Sequence, residues 1–250
     1  NTKWLVGAFC GDDTYDYDQG FRGKGQFWFS LNATDEAGRG GEHDGGDAGG
    51  DDATPFSIPM ISNVTYIGSG TTATPGGDGN DRTFAIRDNA GGMYYNSIFT
   101  EFPGVAINIE DLGAGADSRE RFEQGDLVFD GNIFFDYGGG ATFNDLVSGF
   151  AAAGIAAANE LSNPDLGAVC RTAGGCLDPR PNVGSPAYSG VVAVADPWFE
   201  VVAYRGAFGA EHWVENWTAL ASNGYLGDVS TVAIESDVTG SLPNTFTLEQ

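Results

Sequence analysis

Apolar residues in this chain come in bursts of five to ten, separated by clusters of Gly, Asp and Asn. Such runs are too short for helices and fit strands bounded by turns. They predict strands over 3–9, 26–31, 61–67, 83–87, 93–102, 105–109, 127–135 and 191–195. One stretch, 144–161, instead carries the alanine runs Ala151–Ala153 and Ala156–Ala158 and predicts a short helical insertion. Gly149 and Gly154 lie inside it and can break it in two. A weak repeat runs through the strands. Asn63-Val64-Thr65-Tyr66-Ile67 is echoed by Asn96-Ser97-Ile98-Phe99-Thr100 and by Asn132-Ile133-Phe134-Phe135, at intervals of 33 and 36 residues. A period of this length with one strand-turn unit per copy marks a solenoid. In a β-helix, an Asn at one corner of successive coils can stack on the next. A β-sandwich gives similar short strands but no reason for a repeated corner Asn, and coincidence among turn asparagines is the remaining alternative.

Composition agrees with an all-β, turn-rich fold: 39 glycines and 10 prolines without a collagen period, and 41% hydrophobic residues, which excludes global disorder. Asp and Glu number 35 against 11 Lys and Arg, a net charge of -24. That balance excludes nucleic acid and anionic membranes as partners, since both are bound by clustered cations. No run reaches the length of a membrane span. Of three cysteines, Cys170 and Cys176 flank a flexible Arg-Thr-Ala-Gly-Gly spacer and predict a disulfide, hence an oxidising compartment; Cys10 reads as a buried free thiol. Two histidines and scattered cysteines give no zinc spacing. The opening residues lead straight into a strand without a cap or leader, which predicts a start inside a domain.

The block 1–13, with Tyr15-Asp16-Tyr17-Asp18-Gln19-Gly20-Phe21-Arg22-Gly23-Lys24-Gly25-Gln26-Phe27, resembles a family of large secreted bacterial β-helix proteins. The resemblance continues through 39–46, 87–92, 96–99, Asp178-Pro179-Arg180-Pro181, Gly184-Ser185-Pro186-Ala187 and 204–209. It implies an all-β, right-handed parallel β-helix with long loops, exported by type IX secretion to the cell surface or beyond. It implies that residues 1–220 form the β-helix with a C-terminal cap, continuing a segment that lies upstream and would be a partner. Residues 221–250 would be a linker towards a sorting domain. The family's activity is unassigned, so the resemblance supplies fold and address rather than chemistry.

Candidate chemistry centres on Asp12, Asp13, Asp16 and Asp18, four carboxylates within seven residues. In an extended segment Asp16 and Asp18 share a face. Such a cluster predicts a Ca²⁺ site, a turn neutralised by Arg22 and Lys24, or a solvated loop. Glu42 and Asp44 flank His43 and could add ligands or an acid/base group; the plainer reading is a hydrogen-bonded loop corner. The following 49–52 reads as a mobile loop. A polysaccharide lyase would hold Ca²⁺ on the acids and use Arg22 or Lys24 as base; a hydrolase would pair Asp12 and Asp13. Gly11-Asp12-Asp13 resembles one pectin-hydrolase motif, whose companion motifs are missing. Trp28, Trp213 and Trp217 could stack on sugar rings, or pack the core or an end cap. These features favour a secreted or cell-surface scaffold for adhesion, glycan contact or extracellular assembly. A lyase or hydrolase is the runner-up, and a self-associating filament or coat subunit the third reading.

Overall fold

A computed structural model describes residues 1–46, 54–74, 81–113 and 116–227. Its chain winds into stacked coils. Coil 1 holds β1 (Thr2–Ala8) and β2 (Tyr15–Tyr17); coil 2 holds β3 (Lys24–Leu31) and β4 (Gly41–Asp44). Coil 3 contributes β5 (Met60–Ser62), β6 (Thr65–Ile67) and β7 (Arg82–Arg87), and coil 4 β8 (Gly92–Tyr95), β9 (Ile98–Phe102) and β10 (Val105–Ile109). Coil 5 has β11 (Leu127–Asp130) and β12 (Ile133–Tyr137), and β13 (Glu160–Leu161) opens a sixth. All pairings between coils are parallel. The column is therefore a parallel β-helix, as the repeat predicts.

Three faces result. The first half of β3, with β5, β8 and β11, makes face I; its second half, with β6, β9, β12 and β13, makes face II. Strands β2, β4, β7 and β10 make face III. Faces I and II meet at a corner where the stacked residues Trp4, Phe27, Asn63, Asn96 and Gly131 all have positive φ, between 51° and 70°. Only Gly and Asn adopt this conformation cheaply, which explains Asn63, Asn96 and Gly131. The aromatic pair at coils 1 and 2 offsets its strain by stacking, with Trp4 and Phe27 centroids 5.7 Å apart.

The corner holds two asparagine ladders where the repeat predicts one. Asn63 and Asn96 stack on the outer position, but Asn132 lies one residue further on, opposite Ser97. There it belongs to an inner ladder of Ser97, Asn132 and Asn159. Each side chain accepts the backbone N–H of the coil before it: Val64 to Ser97 Oγ at 3.1 Å, Ser97 to Asn132 Oδ1 at 2.9 Å, Asn132 to Asn159 Oδ1 at 3.0 Å. A bend breaks the regular strand ladder, and these side chains satisfy the buried groups it frees.

Inside, aromatic rings fill the column. Tyr66, Phe99 and Phe134 succeed one another at 5.5 and 5.1 Å. The coil 5 end is covered by α2 (Phe143–Leu146) and α3 (Ala152–Ala158), which bury Phe143, Leu146 and Ile155. These are the predicted insertion, split where Val147 bridges to Ile107 and keeps that segment on face III. A further helix, α1 (Ser118–Gln124), enters between β10 and β11, capped by Asp117.

Residues 162–227 form a layer along the flank. Leu177, Phe208, Val214 and Leu220 pack on the outward residues Phe29, Leu31 and Ile67 of face II. The layer includes β14 (Leu166–Ala168) antiparallel to β15 (Asp178–Pro181), α4 (Ala219–Ser222) and the predicted Cys170–Cys176 disulfide. Residues 191–195, predicted as a strand, instead belong to a strap along the corner. Asn96 and Gln26 hold this strap by reciprocal amide bonds to Val192 and Glu200, at 2.8–2.9 Å. No described helix is long and apolar enough to cross a membrane. The stretch 49–52 and most of the 221–250 tail lie outside the described residues.

Candidate functional site

Face III gathers the acidic residues singled out in the sequence. Strand alternation sends Asp16, Glu42 and Asp44 outward and Tyr17, Gly41 and His43 inward. Register stacks Asp16, Glu42, Ala85 and Asn108 in one outward row, and Asp44 against Arg87 in the next. Arg39 and Arg87 tie the rows into a zipper. Arg39 Nη1 lies 3.0 Å from Asp13 and 2.8 Å from Glu42; Arg87 lies 3.1 Å from Glu42 and 2.6 Å from Asp44. Asp13 also accepts the Arg39 backbone N–H, and its side chain is only 5% exposed. Its neutraliser thus comes from one coil on.

The other predicted residues lie apart from this zipper. Asp12 is exposed and engages Gly38 through its backbone carbonyl. Asp18 caps the N–H of Gln19. Arg22 donates to the Phe56 carbonyl at 3.1 Å and lies over its ring. Lys24 pairs with Asp196 of the strap. Neither cation of the predicted neutralising pair reaches the acids of face III. Among the described residues, no group of three or more His, Cys, Asp and Glu converges tightly enough to share a metal ion. With Asp13 already held by Arg39, the four aspartates do not fit a Ca²⁺ cage, which needs six to eight converging oxygens.

Asp16 is the outlier. It is exposed, and its carboxyl has no hydrogen bond or ion pair among the described residues. Partial burial, then Asp44, Asp13, Asp18 and Asp12, push its carboxyl above the usual carboxylate range. Burial also raises Glu42, against the pull of Arg87 and Arg39. His43 lies inside the column, stacked on Tyr17 with centroids 3.8 Å apart. Its Nδ1 is 2.7 Å from the Glu42 carbonyl, which can only accept, so Nδ1 carries the proton and Nε2 accepts from the Tyr94 hydroxyl at 2.6 Å. Burial pushes its pKa down to about 3. It is a neutral core residue, not a surface ligand.

Of the tryptophans, Trp28 is buried and donates to the Thr2 carbonyl at 3.2 Å. Trp213 is half-buried and stacks on Phe208 at 5.1 Å; Trp217 stacks on Trp213 and is 58% exposed. These two sit on the flanking layer rather than on face III. Sequence reasoning missed Arg39 and Arg87. The available signal was spacing: Arg39 follows Asp13 by 26 residues, about one coil.

The chemistry available on face III is that of an ordered, charge-paired surface on which, among the described residues, the Asp16 carboxyl stands without a partner and is held above its ordinary pKa. No curated protein and no solved structure matches the chain. Residues 1–152, which contain all five coils and the whole of face III, match the pectate-lyase-like β-helix domain, and the chain belongs to that family.

Proposed function

We propose that this chain is a secreted or cell-surface scaffold that contacts extracellular glycan along the outer surface of face III without turning it over. The zipper carries this reading. Arg39 and Arg87 are both held by carboxylates, so neither is free to act as the base that a lyase sets beside the carbon it deprotonates. Asp16, Glu42 and Asn108 present acceptors and an amide to sugar hydroxyls in one row. The disulfide supports an oxidising, extracellular address. Incubation with neutral and acidic polysaccharides should give binding without new reducing ends or unsaturated products, and Asp16→Asn should weaken it. Appearance of either product would overturn the scaffold reading.

One observation favours catalysis as the second reading. Asp16 and Glu42 are both held above the ordinary carboxylate range, which is how a glycosidase prepares its acid. On that reading Asp16→Asn abolishes product formation while leaving the melting temperature unchanged.

A further inference from the structure

The outward row Ala8, Leu31, Ile67 runs down face II beneath the flanking layer. At coils 2 and 3 a branched side chain fills the space below the layer. At coil 1 the row shrinks to Ala8, and a cavity of about 350 Å³ opens there. Its other walls are also small where they could be large: Ala173, in the loop closed by the Cys170–Cys176 disulfide, and Ala219, the first residue of α4. Phe9, Leu220, Asn223 and Tyr225 line the remainder, with Phe9 and Tyr225 centroids 5.0 Å apart. Asn223 anchors its amide nitrogen on the Ala219 carbonyl at 2.8 Å, which leaves its oxygen without a partner among the described residues. The Tyr225 hydroxyl likewise makes no hydrogen bond among them.

A space of this size falls at the lower end of small-ligand pockets, roughly 300–1,000 Å³. Its chemistry narrows the occupant. Two ring surfaces suit the C–H face of a pyranose, and a phenol and a carboxamide oxygen suit its hydroxyls. Among the described residues, no Lys, Arg, Asp, Glu or His lines the cavity, within a chain of net charge -24. A uronate would meet no counter-charge there and would be repelled at longer range. We propose that this cavity between coil 1 and the flanking layer is a second glycan subsite, which takes an uncharged sugar unit from the end of a chain. The proposal rests on the reading that the protein meets glycan, but it places contact on face II rather than face III and selects neutral sugars.

The test is calorimetric titration of the whole chain with uncharged tetrasaccharides of glucose, mannose and N-acetylglucosamine, and with tetragalacturonate. At least one neutral tetrasaccharide should bind with a dissociation constant at or below about 1 mM. Ala8→Leu, which restores the bulk present at Leu31 and Ile67, should weaken that binding at least about tenfold while holding or raising the melting temperature. Tyr225→Phe keeps the ring and removes the hydroxyl, and should weaken it several-fold without altering the fold. Neutral binding that survives both Ala8→Leu and Tyr225→Phe would overturn the subsite alone, as would binding of tetragalacturonate only. No binding of any sugar would overturn the subsite and the glycan reading together.

Discussion

At Asn132 one side chain serves three neighbours. Its Oδ1 accepts the Ser97 N–H, and its Nδ2 donates to the Tyr94 carbonyl and to Asn159 Oδ1 at 2.9 and 2.8 Å, all in a buried corner. Asn132→Ala strands these groups without water. A buried group left unsatisfied costs about 1–3 kcal/mol, so the variant should lose about 3 kcal/mol or more of unfolding free energy in urea. Asn132→Asp keeps the acceptor but not the donors and should also destabilise the chain. The second residue-scale prediction concerns His43. Its folded pKa is about 3 against an ordinary 6.5. The depressed value means that the unfolded chain takes up the proton first. Stability is therefore full above about pH 6.5 and falls as pH drops towards 3, by up to several kcal/mol. His212, lowered by burial in the flanking layer, adds to the same slope. Urea midpoints measured from pH 7 to 4 should fall, and less steeply in His43→Gln. An equal slope in that variant would assign the acid sensitivity to carboxylates instead.

Strands β2 and β4 decide how far the candidate site follows from sequence. The apolar bursts announce the strands of faces I and II because those strands carry hydrophobic residues inward and, under the layer, outward as well. Face III alternates charges outward with Tyr17, Gly41 and His43 inward, so its first two strands read as acidic turns. Coil stacking, not local pattern, makes them strands. The runs 61–67, 93–102 and 127–135 read as single strands, because an Asn or Gly corner shows only as one polar or small residue. The acids of the site are legible, but their neutraliser is not. Arg22 and Lys24 are near in sequence, whereas the helical wind brings Arg39 across one coil to Asp13. This zipper carries its own prediction. Arg39→Ala leaves the nearly buried Asp13 carboxylate without a cation and should cost about 2–3 kcal/mol, between exposed and fully buried pairs. Arg87 is 45% exposed, so Arg87→Ala should cost about 1 kcal/mol or less. Thermal melts of the two variants should differ in that order.

On the scale of the molecule, the column depends on its flanking layer to keep the apolar outside of face II from water. Residues Phe29, Leu31, Ile67, Ile98 and Ile133 are all buried there. A soluble β-helix could not leave such a stripe open without inviting association. Arg205 holds the layer's edge in an uneasy way. It is 1% exposed and bonds Glu160 and the Pro186 carbonyl at 2.9 and 2.7 Å, yet its Nε finds no partner among the described residues. Glu160 is 46% exposed, so the Coulomb gain is screened and small, while the guanidinium has lost its water. Its packing volume should therefore matter more than its charge. Arg205→Met keeps most of that volume and should leave the layer as firmly docked, or more so. Arg205→Ala removes it and should loosen the layer by about 2 kcal/mol or more. The amides of Gly206 and Ala207, bonded across to the Asn96 carbonyl and Thr65 Oγ1 at 2.7 and 2.8 Å, report this directly. Their hydrogen exchange should quicken in Arg205→Ala, with new binding of an apolar dye, and stay slow in Arg205→Met. Equal loss in both variants would mean that the ion pair, not the packing, keeps the flank closed.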